Sequence, residues 1–93
     1  MNANQLQEHV VMRLGGTRTN GHGAVTRDGL FFHTYSMPGS GQLRVFFRTN
    51  MWGEFEPSLA SISNGLTTIE MEFDRTKPIV PQLNRLAITA LHQ

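Results

Sequence analysis

Chemistry needs particular side chains at particular spacings, and few groups in this chain meet that need. The imidazoles are His9, His22, His33 and His92. No two lie three to five positions apart, and none sits in a ligand pattern with Asp or Glu, so the sequence predicts no metal centre. There is no cysteine, which removes disulfides, thiolate nucleophiles and cysteine metal sites. Ser36, Ser40, Ser58, Ser61 and Ser63 supply hydroxyls, but none stands in a nucleophile-elbow sequence. Glu70, Glu72 and Asp74 are spaced two apart. Paired carboxylates do acid–base work when their surroundings split their pKa values; on an alternating strand these read instead as a solvated face. Gly16 and Gly21 have the glycine spacing of a phosphate loop, yet His22 and Gly23 stand where a lysine and a hydroxyl are required. Successive glycine N–H groups could form a small anion nest, and a small enzyme or nucleotide binder using the Gly15–Gly23 loop with His22 and Arg18 is the weakest of three functional readings. The sequence therefore predicts no catalytic residue, no cofactor, no metal and no enzyme.

A different surface carries more information. Residues 30–37 and 42–49 read as two strands of a hairpin around Pro38-Gly39-Ser40-Gly41. A two-residue loop at Gly39-Ser40 pairs Met37 with Gln42, Tyr35 with Arg44, His33 with Phe46 and Phe31 with Arg48. That register puts Leu30, Phe32, Thr34, Leu43, Val45 and Phe47 on a core face. It puts Phe31, His33, Tyr35 and Met37 beside Arg44, Phe46 and Arg48 on the other. Rings and guanidinium groups together suit two partners. They stack on bases and meet phosphates of single-stranded nucleic acid, or they form the centre of a protein interface. The contact residues this reading selects are Phe31, Tyr35, Arg44, Phe46 and Arg48, with Trp52 as an anchor. The plainer reading is cover, with the arginines paired to Glu54, Glu56, Glu70 or Glu72. For Met51-Trp52-Gly53-Glu54-Phe55, burial tendencies favour a hydrophobic plug closing the end of the sheet over an exposed anchor.

The elements that must position these residues follow from periodicity. Residues 3–14 read as a helix capped by Asn2 or Asn4, with Leu6, Val10 and Leu14 at helical spacing, Val11 and Met12 widening the stripe, and Gly15-Gly16 as the stop. Asn20-Gly21 and Asp28-Gly29 are turn signals. A short strand is expected over Ala24–Arg27, and strand or loop over Thr17–Asn20. Pro57 interrupts regularity, and Leu59–Ser63 fits a short strand turning at Asn64-Gly65. Residues 66–73 alternate, with Thr67, Ile69, Met71 and Phe73 opposite Glu70 and Glu72. Residues 80–91 read as a helix with Pro81 in its first turn and an apolar stripe of Leu83, Leu86, Ala87, Ala90 and Leu91. The fold class expected is α+β, a small antiparallel sheet of three to five strands flanked by an N-terminal and a C-terminal helix.

Composition bounds the function. Ninety-three residues make one small domain, 1–93, with a modest core. A net charge of +1 gives no electrostatic pull toward nucleic acid or membrane. Lys77 is the only lysine beside seven arginines, which codon bias explains more simply than selection for contact. No apolar run is long enough to span a bilayer, and the polar start is not a signal peptide, so a cytoplasmic protein is expected. Together these features suggest a small binding protein, of the kind phages and mobile elements use to block a larger host protein. Self-association is a further option, because a small core gains from added burial. Single-stranded nucleic acid is the alternative partner.

Overall fold

The computed structural model describes residues 1–20, 25–27, 29–39 and 41–91. Helix α1 spans Ala3–Arg13. Asn2, not Asn4, caps it: its side-chain oxygen accepts from the Gln5 N–H, and the Gln5 side chain accepts from the Asn2 N–H, each at 2.9 Å. This reciprocal box satisfies two of the helix's free donors. Leu6 and Val10 are buried one turn apart, whereas Val11 and Met12 face outward. The expected wide stripe is thus a narrow seam. The helix stops before Gly15, and the Gly16 N–H reaches back to the Val10 carbonyl at 3.0 Å.

Five strands follow: β1 Thr17–Arg18, β2 Phe32–Ser36, β3 Gln42–Thr49, β4 Phe55–Ser63 and β5 Thr68–Glu72. They form one antiparallel sheet in the order β1-β2-β3-β4-β5, each strand pairing only with its chain neighbours. Helix α2, Ile79–Leu91, closes the fold. The architecture is α+β, as expected: a five-stranded antiparallel sheet between an N-terminal and a C-terminal helix. Both helices pack on the same face. Leu6 and Val10 from α1 and Leu83 and Leu86 from α2 join Tyr35, Leu43, Val45, Phe47, Ala60, Ile62 and Phe73 in one cluster. Burial of these side chains supplies the main stabilisation, about 1.5–3 kcal/mol for each large one.

The register between β2 and β3 differs from the expected one by a single residue. Ser36 pairs with Gln42, Tyr35 with Leu43, Thr34 with Arg44, His33 with Val45 and Phe32 with Phe46. The Met37 N–H donates to the Gly41 carbonyl at 2.9 Å, so three residues rather than two separate the closing pair. A one-residue slip turns every side chain of a strand to the other face. Tyr35, His33 and Phe31 therefore lie on the helix-covered side. Phe32, expected in the core, lies half-buried on the other, Thr34 beside it on that side is nonetheless buried, and Leu30 is exposed rather than buried. The two faces of β3 are as expected.

Pro57 does not interrupt β4. It lies inside the strand opposite Phe47, where a bulge between Phe46 and Phe47 shifts the register. Proline lacks the ladder donor, and bulges are among the few places a sheet accepts it. At the β4–β5 turn the Asn64 side chain accepts from the Leu66 and Thr67 N–H groups at 3.0 and 2.9 Å. In the connector to α2, the Gln82 side chain accepts from the Asp74 N–H at 2.8 Å and donates to the Asp74 and Pro78 carbonyls. These bonds fix where α2 starts. Among the described residues no helix is long and apolar enough to cross a membrane.

Candidate interaction surface

The helices cover one side of the sheet, and the other carries the candidate site. Two rows of side chains cross this open face. One runs Thr34, Arg44, Ser61, Glu70; the next runs Phe32, Phe46, Leu59, Glu72. The Phe32 and Phe46 rings lie 5.8 Å apart, tilted at 37°. The Arg44 guanidinium stands 5.5 Å from the centre of the Phe32 ring, a cation–π contact worth about 0.5–1 kcal/mol at an exposed site. Beside the bulge, Leu30, Phe46 and Leu59 line a depression of about 130 Å³ with Arg48 and Glu72 among its walls. The face is thus aromatic and cationic over β2 and β3, and acidic over β5.

Three of the expected contact residues, Arg44, Phe46 and Arg48, share this face. Phe31 and Tyr35 do not. Phe31 packs into a cluster of rings on the covered side, 5.1 Å from His33, 5.3 Å from Phe47 and 4.7 Å from Phe55. Tyr35 is 0% exposed, and its hydroxyl shares a 2.7 Å hydrogen bond with His33 Nδ1. Burial raises the Tyr35 phenol above its ordinary range, and the nearby Arg18 charge opposes this only in part. Both residues are corrections to the expected contact set, and both follow from the register slip. The slip brings Phe32 in their place.

The cover reading holds for Phe31, His33 and Tyr35, which lie on the helix-covered side, but not for the arginine pairing. Among the described residues, Glu56 pairs with Arg75 at 3.6 Å and Asp74 with Lys77 at 3.8 Å. Neither Arg44 nor Arg48 forms an ion pair there. Both are exposed.

Trp52 is no plug. It is 75% exposed, and Met51 is 85% exposed, at the tip of the β3–β4 hairpin. Phe55, not Trp52, turns toward the Phe31 ring. The tip is nonetheless held. Asn50 Oδ1 accepts from the Trp52 and Glu54 N–H groups at 2.9 Å each, while Asn50 Nδ2 donates to Glu56 Oε1 at 2.9 Å. The Asn50 N–H donates to the Glu54 carbonyl at 2.8 Å. A ring held out by a bonded turn loses little conformational entropy on contact.

The glycine-rich loop reading falls largely outside the described residues. Gly21, His22, Gly23 and Ala24 lie there, as do Asp28, Ser40 and His92, and with them the Asn20-Gly21 turn, whereas Val25, Thr26 and Arg27 of the expected Ala24–Arg27 strand are described and form no strand. Val25 forms an isolated bridge with Phe31. Arg18, named with His22 for that loop, donates to Gln7 Oε1 at 2.9 Å and to Asn20 Oδ1 at 3.3 Å. Among the described residues no group of three or more His, Asp or Glu is placed to hold a metal ion. Comparison with family models, curated proteins and solved structures gives no match for this chain. The functional reading therefore rests on the surface itself.

Proposed function

We propose that this chain is a non-enzymatic binding protein that occupies a surface of a larger protein through the open face of its sheet. The observation that carries the reading is the open-face cluster of half-buried Phe32 and Phe46 with exposed Arg44 and Arg48, whose arginines have no carboxylate partner among the described residues. Aromatic and arginine side chains are enriched at interface centres. Glu70 and Glu72 on the flanking strand favour a protein over a nucleic acid, because a phosphate chain crossing the sheet toward β5 meets like charge. The matching partner surface presents an apolar patch, a carboxylate toward β3 and a cation toward β5. Trp52 adds an anchor at the hairpin tip.

The test is affinity capture from bacterial lysate with the full chain, with and without nuclease, at low and high salt. The double variant Arg44→Glu/Arg48→Glu runs beside it, with Arg85→Glu on helix α2 as control. The expected result is one protein retained through nuclease, lost with the double variant and kept with the control. Equal capture by the double variant overturns the assignment. Material that disappears with nuclease and high salt replaces it with single-stranded nucleic-acid binding, whose affinity falls steeply as salt rises.

A further inference from the structure

Helices α1 and α2 share one sheet face without closing over it. Midway between them, His9 Nε2 donates to Asn84 Oδ1 at 2.9 Å. Beyond this link lies a cleft of about 510 Å³. Its walls are Leu14, Met37, Pro38, Ile62, Ala87 and Ile88, with His9, Arg13 and Asn84 as the polar members. A second, more polar hollow on the other side shares His9 and Arg13 and adds Gln5 and Glu8. The two hollows adjoin along the groove between the helices, and His9 and Arg13 line both.

We propose that this groove binds a small amphipathic molecule with one unbranched apolar chain and a compact anionic head. A medium-chain carboxylate is the simplest case. Three observations select this occupant. The volume falls in the range of small-ligand sites, about 300–1,000 Å³, whereas a docked helix is some 10–12 Å across and needs a longer trough. Among the described residues no carboxylate lines the apolar end, and Arg13, which lines it, is a permanent cation with no ion pair among them. Glu8, in the adjoining hollow, limits the head to one that stops at Arg13. His9 Nε2 and Asn84 Oδ1 bond each other, and no buried polar side-chain atom among the described residues lacks a partner. The depth of the cleft therefore asks for methylene groups alone. Apolar hollows of this kind take up apolar ligands because their walls otherwise lack contact atoms on one side.

The test is calorimetric titration and thermal melting of the full chain with decanoate below its micelle concentration. Acetate supplies the head alone, and decyltrimethylammonium supplies the same chain with the opposite charge. Decanoate is expected to bind and raise the melting temperature, acetate to do neither, and the cationic amphiphile to bind about tenfold more weakly or not at all. Arg13→Gln, an exposed substitution, should weaken decanoate about tenfold, the size of one charge-assisted hydrogen bond. Ala87→Phe should fill the apolar end and abolish binding. Absence of any heat or melting shift with decanoate overturns the proposal. So does equal affinity for the cationic amphiphile, or unchanged affinity in Arg13→Gln.

Discussion

Replacing Gly41 by alanine tests the close approach of the start of β3 to the end of β4. Gly41 has φ +95°, and an ideal Cβ there stands 1.8 Å from the Ser63 carbonyl oxygen. Ordinary contact begins at 3.4 Å, so the strands must part by about 1.6 Å. Hydrogen bonds of ordinary length do not survive such a shift, and losing one or two at the end of the β3–β4 ladder costs about 1–3 kcal/mol. The left-handed backbone adds roughly 1–2 kcal/mol for a residue with a Cβ, partly offset by the stiffer unfolded chain. Gly39 is the internal control. Its φ is +79°, but a Cβ there meets nothing within 4 Å. Gly39→Ala should therefore cost about 1 kcal/mol and Gly41→Ala about 3 kcal/mol. For a domain of this size those values lower the melting temperature by roughly 4–8 °C and 12–24 °C. Circular-dichroism melts of both variants, with urea titration for the free energies, give the comparison. Equal losses would refute the reasoning, because Gly41 would then not lie against Ser63 where β3 enters the sheet.

Three further outcomes are expected. Tyr35 is the only tyrosine, so phenolate absorbance reports it alone. Burial holds it protonated, so its contribution to stability should be constant below about pH 10, the unfolded phenol's range, and fall above it; phenolate appearing at pH 10 before unfolding would contradict this. Trp52→Ala should leave stability within about 0.5 kcal/mol, because the ring is exposed, and urea denaturation checks it; as the only tryptophan, Trp52 should emit like an indole in water. Asn50→Ala removes three side-chain hydrogen bonds, and should cost about 1–2 kcal/mol with faster amide exchange at Trp52 and Glu54. Unchanged exchange there would mean the tip is held by its backbone bonds alone.

The parts of this fold that could be read from residue types are those where polarity alternates. On β3, Arg44 and Arg48 separate Leu43, Val45 and Phe47, so both faces were legible. On β5, Glu70 and Glu72 alternate with Ile69, Met71 and Phe73 in the same way. The seam of α2 through Leu83 and Leu86 follows from helical spacing. Strand β2 is different. Phe31, Phe32, His33, Thr34 and Tyr35 carry no strong contrast between faces, so its assignment hung on the loop length, and one residue there reversed it. The polarity of β3 held no information on which β2 residues lay opposite. Trp52 was misjudged for a related reason. Average burial assigns a tryptophan to the interior, but the tip is fixed by Asn50, and it is the Phe55 ring, itself partly exposed, that meets Phe31. The inter-helix groove had no signal in the chain at all, since it is made by residues from α1, the β2–β3 connection, β4 and α2 meeting only in space.

The meander order has a kinetic meaning. Every strand pairs with the next in sequence, so the sheet assembles by closing short loops, each at small entropic cost. The helices are the opposite case. The bond joining them spans 75 positions, from His9 to Asn84. Contacts that distant form after the loops between them are closed. The sheet should therefore organise first, its covered face still wet, and the helix layer should settle last. An opening of that layer alone would expose Leu6, Val10, Leu83 and Leu86 while leaving the strand ladder intact. On this reasoning the groove between the helices should form late on the folding path.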